Sequence, residues 1–222
     1  MALIQDGRAV AANQAVENST KASRGAIVPR VLSNFSMAGT SGTIAAALAA
    51  NASVFAMRND IASPRQVFIE RLRVQFTTIV AFTVPITAGR RLSLFRGNGA
   101  AASGGTGLVP VRKGSAVGNV SEVDAANGGD ARIATTAALT VTGITFETNP
   151  VAEMPLTHLG NAGAFQEFLF EFAATESAPL ILQPGQLLAL RTPVLFDAGG
   201  TWQLGVNVAW HEALSLDSST SE

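Results

Sequence analysis

Cysteine and tyrosine are both absent from this chain of 222 residues, and charged residues make up only 14% of it. Without cysteine there is no disulfide framework, no thiolate zinc site and no cysteine nucleophile. The longest alanine-rich stretch, residues 44–50, is far shorter than the roughly 20 apolar residues of a transmembrane helix. The N-terminus also lacks the basic and apolar regions of a signal peptide. We therefore expect a soluble protein with no membrane partner.

The chain is nevertheless rich in apolar residues, which make up 47% of it, and in glycine, with 21 residues. This composition is too apolar for a disordered chain, and the length suits one all-β domain. Residues 1–26 differ because their few large apolar side chains follow no sustained period. We expect a flexible N-terminal arm that orders on a partner, with a short helix as the alternative. Residues 214–222 predict a frayed tail, which leaves residues 27–213 as the folded domain.

Alternating apolar side chains are the dominant pattern of that domain. In the segment from Thr201 to His211, every second residue from Trp202 to Trp210 is apolar. A helix would spread these side chains around its circumference, so the segment predicts a half-buried strand. Both tryptophans then lie on the core face.

Residues 65–83 also alternate, but the phase changes by one residue between Ile69 and Leu72. Such a change predicts a β-bulge within a continuous strand. A turn at residues 85–89 leads to an alternating segment, Arg91 to Arg96, which we expect to be the hairpin partner of the first strand.

Further strands are predicted from shorter runs of the same kind, and Gln183–Gln186 has the signature of a type II turn. Gly97–Gly107 and Gly114–Gly129 predict surface loops without apolar anchors. The stretch after Ser41 fits a short helix and a packed strand equally well. Many short strands with turns between them predict an all-β fold, a β-sandwich of jelly-roll type. The further strands are Val28–Ser36, Val54–Arg58, Val109–Arg112, Ile133–Phe146, Phe165–Phe172, Leu180–Leu182 and Leu187–Thr192.

Charge is unevenly distributed along the chain. Residues 1–57 carry four basic and two acidic groups, residues 58–113 carry nine and two, and residues 114–222 carry two and twelve. The three blocks therefore sum to +2, +7 and −10, which gives the formal net charge of −1. Either the two large blocks neutralise each other within one fold, or a basic surface of one subunit meets an acidic surface of another.

Residues suited to catalysis are few. The histidines are His158 and His211, and the sequence has no GxSxG motif that would supply a nucleophile for either, so a hydrolytic triad is not expected. Glu167 and Glu171 share a strand face about 13 Å apart, which is too far for a glycosidase pair. The glycine-rich segment 97–107 lacks a phosphate-loop core, and the acidic segment 124–130 lacks the order of a calcium loop. We predict no enzyme, no metal and no cofactor.

Basic side chains are the best candidates for contacts with a partner. Nucleic acid is not expected as that partner, because the net charge is near zero and aromatic side chains for base stacking are scarce. A protein surface is the better match. The candidates are Arg8, Lys21 and Arg24 of the arm, with Arg71, Arg73, Arg90, Arg91 and Arg96 of the expected hairpin.

Four segments of the chain resemble virion structural proteins of tailed bacteriophages, of the kind that decorate or cement the outside of the head. They are SGTIAAALAANASVFAMRND (41–60), IERLRVQFTTIVAFTVPITAGRRLSLFRG (69–97), LQPGQLLALRT (182–192) and GTWQLGVNVAWHE (200–212). The resemblance covers most of residues 40–212 and rests on strand and turn patterns without a catalytic signature. It implies a decoration protein made in the host cytoplasm that binds the major capsid protein lattice on the head surface. It also implies a homo-oligomer, with a trimer favoured.

Two other functions remain open from the sequence. A receptor- or glycan-binding head of a tail or fibre protein would use the loops at the end of a sandwich, but aromatic side chains for stacking on sugar rings are scarce. A polysaccharide depolymerase would need a convergent carboxylate pair, which the spacing does not indicate.

Overall fold

In the computed structural model, the described residues form two antiparallel β-sheets that pack face to face around one main core. This confirms the predicted all-β sandwich. The structure describes residues 31–45, 47–83, 89–113, 120–157, 159–172, 180–196 and 199–214. The arm at residues 1–26 and all of the predicted tail except Leu214 therefore lie outside the described residues.

Fourteen strands are found in the described residues, with one short 3₁₀ helix at Ala125–Asn127. The strands are β1 (Val31–Thr40), β2 (Ile44–Ala45), β3 (Ala52–Arg58), β4 (Arg65–Val80), β5 (Arg91–Gly99), β6 (Thr106–Gly107), β7 (Val111–Arg112), β8 (Asp130–Ile133), β9 (Ile144–Phe146), β10 (Ala152–Pro155), β11 (Phe165–Glu171), β12 (Leu180–Leu182), β13 (Gln186–Thr192) and β14 (Thr201–Leu214).

The first sheet has the order β11-β4-β14-β1-β7, with β12 beside β4 and β2 beside β14. The second sheet has the order β10-β5-β13-β3-β8-β6, with β9 beside β5. Pairing is nested along the chain: β1 pairs with β14, β3 with β13, β4 with β11, and β5 with β10. Each of these pairs therefore encloses the next one along the described part of the chain.

The alternation in β14 is confirmed. The side chains of Trp202, Leu204, Val206, Val208 and Trp210 are all buried in the main core. The two tryptophans stack on aromatic neighbours, Trp202 on Phe76 at 4.9 Å and Trp210 on Phe35 at 5.9 Å between ring centroids. The strand β14 therefore has one face in the main core and the other on the outside of the first sheet.

The bulge predicted in the first long strand is also confirmed. On β14, Ala209 pairs with Arg71 and the next residue, Trp210, pairs with Ile69, so Glu70 of β4 is the extra residue. At the same point the other neighbour of β4 changes from β12 to β11. The bulge therefore lies where one long strand changes partners.

Two predictions about strands are wrong. The strands on either side of the predicted turn at 85–89 do not form a hairpin, because β4 belongs to the first sheet and β5 to the second. The predicted strand Ile133–Phe146 is strand only at its two ends. Its middle crosses the outside of the second sheet, where the buried Leu139 packs in a second, smaller apolar cluster. The small and β-branched residues of that segment have the composition of a strand, but the segment packs over the sheet instead of forming a strand of it.

The two glycine-rich loops have apolar anchors, contrary to the prediction. Ala102 is buried in the second cluster, and Val123 is buried in the main core. Gly99 has a φ of 135°, and a Cβ there would collide with the carbonyl of Gly143. Glycine therefore allows the segment to lie flat on the second sheet. The described residues after Ser41 form the short β2 and no helix.

Candidate functional site

A fully buried carboxylate, Glu212, lies near the end of β14. Its Oε1 accepts hydrogen bonds from the Ser121 hydroxyl at 2.6 Å, the Glu122 amide N–H at 3.0 Å and the Trp210 indole N–H at 3.2 Å. Arg65 Nη1 lies 3.4 Å from Glu212 Oε2 and 3.2 Å from Glu122 Oε1. Strand alternation explains the placement, because Glu212 and Trp210 share the inward face.

This carboxylate is enclosed and is not positioned to meet a substrate. Burial raises the pKa of Glu212, and the hydrogen bonds from Ser121, Trp210 and the Glu122 amide oppose that rise only in part. The cluster fastens residues 121–123 to β4 and β14. We interpret it as a structural latch for the loop that precedes β8.

A second ionic cluster lies at the edge of the second sheet. Arg132 Nε donates to both oxygens of Asp130, at 2.9 and 3.1 Å. Burial raises the pKa of Asp130, while the nearby Arg132 and Arg58 act in the opposite direction. Arg58 Nε in turn donates to the carbonyl of Gly99 at 2.8 Å. These contacts hold loops to strands and leave no open site.

The predicted contact residues are divided between the two sheets. Arg71 and Arg73 lie on β4 in the first sheet, whereas Arg91 and Arg96 lie on β5 in the second. Arg90, which precedes β5, is buried with its guanidinium 4.5 Å from the centroid of the Phe82 ring. Arg8, Lys21 and Arg24 lie outside the described residues. The arginines therefore do not form one basic surface.

Carboxylates of the same chain accompany most of these arginines. In the register of β4 and β11, Arg71 lies opposite Glu171. Three ion pairs join arginines of the basic block to glutamates of the acidic block, and this favours neutralisation within one fold. The pairs are Arg73 with Glu167 at 3.6 Å, Arg91 with Glu153 at 3.3 Å and Arg96 with Glu147 at 2.6 Å.

The outward surface of the first sheet, which we call the open face, differs from that of the second. Ala38, Thr40 and Asn207 are exposed on it, although Ala209 is buried among its neighbours, whereas the second cluster packs on the outside of the second sheet. One half of the open face consists of short side chains on β1 and β14, and the other half carries longer ones on β4 and β11. The short side chains are Ser36, Ala38, Thr40, Gly205, Asn207 and Ala209; the longer ones are Arg71, Arg73, Gln75, Glu167, Leu169 and Glu171.

A depression of about 170 Å³ lies on the short half of the open face. Its lining includes Ala38, Gly39 and Gly205, and Arg73 and Gln75 stand beside it. The depression exists because the middle of β1 and β14 lacks large side chains. It is shallow and can receive one protruding side chain.

Histidine and metal chemistry find little support in the described residues. His211 Nδ1 lies 2.9 Å from Glu70 Oε1, within hydrogen-bond distance, and its ring stacks on Phe68 at 4.8 Å between ring centroids. His158 lies outside the described residues. Across the residues with described positions, no group of three or more acidic or histidine side chains could hold a metal ion.

Neither Glu212 nor the open face was predicted from the sequence. Alternation extended one step beyond His211 would have placed Glu212 inward. The open face left no such local signal, because it depends on the pairing of five distant segments.

In the described part of the chain, no helix is long and apolar enough to cross a bilayer. No protein-family model, curated protein or solved structure matches the chain at a significant level.

Proposed function

We propose that this chain is a virion structural protein of a tailed bacteriophage, which binds the outside of the capsid as a decoration or cement subunit. The observation that carries the proposal is the nested pairing of β1 with β14, β3 with β13, β4 with β11 and β5 with β10. Such an order supports a jelly-roll-like sandwich, an architecture common among viral capsid and lectin domains. The segments that resemble phage proteins include the central strands of this arrangement.

The aromatic side chains favour the virion role over a lectin role. A sugar site needs an exposed ring, but Trp202 and Trp210 are both fully buried and tyrosine is absent from the sequence. Phe165 is the one aromatic residue among the described exposed large apolar side chains. A glycan array tests the alternative, a receptor-binding head: selective binding of one glycan class would replace our proposal.

Decoration would act by mass action, because a subunit that binds only the assembled shell stabilises that state. We expect a variant lacking residues 1–26 to fold and to occupy stripped heads less than the full chain does. The reason is that an arm ordering on the lattice contributes contact area that the domain lacks. Occupancy is measured by co-sedimentation with heads, with circular dichroism as the folding control. Full occupancy by the shortened chain would contradict a role for the arm, and no binding by either form would contradict the proposed function.

Attachment is expected to resist salt. Because Arg73, Arg91 and Arg96 each lie beside a glutamate of their own chain, these three arginines are less available to pair across an interface. Raising the salt from about 0.15 to about 1 M shortens the screening length from about 8 to about 3 Å. Occupancy on heads should nevertheless change little. Release at high salt would indicate that charges do pair between subunits, and an Arg8, Lys21 and Arg24 triple alanine variant would test whether the arm supplies them.

A further inference from the structure

We infer that the open face is the contact between two copies of this chain, related by a two-fold axis that runs along β14. The inference goes beyond the proposed function, does not depend on the capsid, and differs from the trimer that the resemblance implies. It rests on the unequal halves of the open face, on the exposed apolar side chains at its margins and on its size.

A two-fold axis along the central strand exchanges the two halves of the open face. The strands lie in the order β11, β4, β14, β1 and β7, so β4 of one copy comes to lie over β1 of the other. Register then decides which residues meet. Asn207 of β14 pairs with both Arg73 of β4 and Ala38 of β1 within one chain. In the pair, Arg73 of each copy therefore lies over Ala38 of its partner.

The neighbouring rows show the same complementarity. Gly205 pairs with Gln75 on one side and Thr40 on the other, and this places Gln75 over Thr40 of the second copy. In each row a long side chain meets a short one. Along the axis Gly205 and Asn207 meet their own copies, and Gly205 has no side chain to prevent close approach. A contact of this kind is isologous, with each patch facing its own copy.

Exposed apolar side chains lie at both margins of the open face, and on β11 they alternate with Glu167 and Glu171. On the β11 side, Phe165 is 55% and Leu169 is 46% exposed, and on the β7 side Val109 is 72% and Val111 is 62% exposed. The same axis brings the β11 margin of one copy to the β7 margin of the other. Exposed apolar side chains at two opposite margins would thus be covered together, and Arg73, which lies between them, is already paired with Glu167 of its own chain.

The size of the open face suits a modest, reversible dimer. Strand lengths and the spacing of about 4.8 Å give a projected area of about 500 Å². The accessible area exceeds the projection because the side chains are corrugated. It therefore approaches the roughly 600 Å² per partner at the lower end of specific interfaces. We expect dissociation on dilution.

Cross-linking can locate the axis, because the chain contains no cysteine. With a short bismaleimide, Asn207→Cys should cross-link to itself, since Asn207 lies on the axis. Ala38→Cys alone should not, because two copies of Ala38 would be separated by two strand spacings, about 10 Å, in addition to the gap between the sheets. An equimolar mixture of Ala38→Cys and Arg73→Cys should cross-link, although neither variant does so alone. Failure of Asn207→Cys, or efficient self-linking of Ala38→Cys, would overturn the inference.

Sedimentation equilibrium of the full chain tests the stoichiometry. A pair has twice the chain mass of 22.9 kDa, about 46 kDa. Ala38→Arg should dissociate it, because a second guanidinium would meet Arg73 of the partner. Ala101→Arg, at an exposed site outside the open face, is the matched control and should leave the pair intact. A wild-type monomer, a trimer, or an Ala38→Arg dimer would each contradict the two-fold pair. Binding to heads could survive any of these results, so failure here is distinguishable from failure of the proposed function.

Discussion

Replacing Glu212 with alanine is expected to lower the free energy of unfolding by about 3–5 kcal/mol, the cost typical of breaking a buried ion pair from one side. The change would leave the Ser121 hydroxyl, the Glu122 amide and the Trp210 indole N–H without their acceptor, and Arg65 without one of its carboxylates. Urea unfolding followed by circular dichroism measures the effect. Glu167→Ala is the matched control, because it removes an exposed partner of Arg73 and should cost at most about 1 kcal/mol. Equal losses in the two variants would contradict the described cluster.

Glu212→Gln removes the titrating carboxyl group of this side chain but keeps its size and shape. Because burial raises the pKa of Glu212 in the folded state, the native protein holds a proton that the unfolded chain releases at lower pH. Its contribution to stability is therefore fully present below the ordinary pKa of 4.5 and is lost as pH rises through the raised value. Wild type should show this decline, and Glu212→Gln should lack it. Asp130, whose pKa is also raised, titrates in both proteins and cancels in the difference. Superimposable pH profiles would refute this assignment.

Trp202→Ala is expected to lower the free energy of unfolding by about 3–5 kcal/mol, the range typical for truncation of a large buried aromatic residue. Trp202 is fully buried and contacts rings on two sides, Phe76 at 4.9 Å and Phe196 at 5.4 Å between centroids. The cavity would lie in the main core beneath the start of β14, where collapse would require movement of paired strands. Denaturant unfolding again provides the measurement.

Trp202→Phe is the control for this substitution. The Nε1 atom of Trp202 is buried and has no hydrogen-bond partner among the described residues. Phenylalanine therefore keeps an aromatic contact and removes no hydrogen bond. We expect Trp202→Phe to lower the free energy of unfolding by less than half as much as Trp202→Ala does. If phenylalanine proved as costly as alanine, the indole N–H would have a role that the described contacts do not include.

The local features of the fold were predictable because they depend on neighbouring residues. Alternation from Trp202 to Trp210 fixes a strand and its buried face, and the phase change near Ile69 locates a bulge. Pairing partners were not predictable, because β1 and β14 are separated by most of the chain and no local pattern records their register. The expected hairpin failed for that reason: β4 and β5 follow each other in sequence and yet belong to different sheets.

The charge pattern illustrates how far composition can lead. The opposed blocks were visible in the sequence, but whether they pair within or between subunits depends on which strands become neighbours. Arg73 meets Glu167 because β11 pairs with β4, and Arg91 meets Glu153 because β10 pairs with β5. Glu212 was missed for a simpler reason, since a carboxylate following an alternating strand is ordinarily assigned to its solvated end.

Internal pairing of arginine and glutamate has a consequence for crowding. A molecule with a formal net charge of −1, in which Arg73, Arg91 and Arg96 lie beside glutamates of the same chain, projects only a weak field from that part of its surface. Many copies can then stand side by side at high local concentration without building up mutual repulsion. Dense arrays of such molecules would be governed by the fit of their surfaces, and hardly at all by the ionic strength around them.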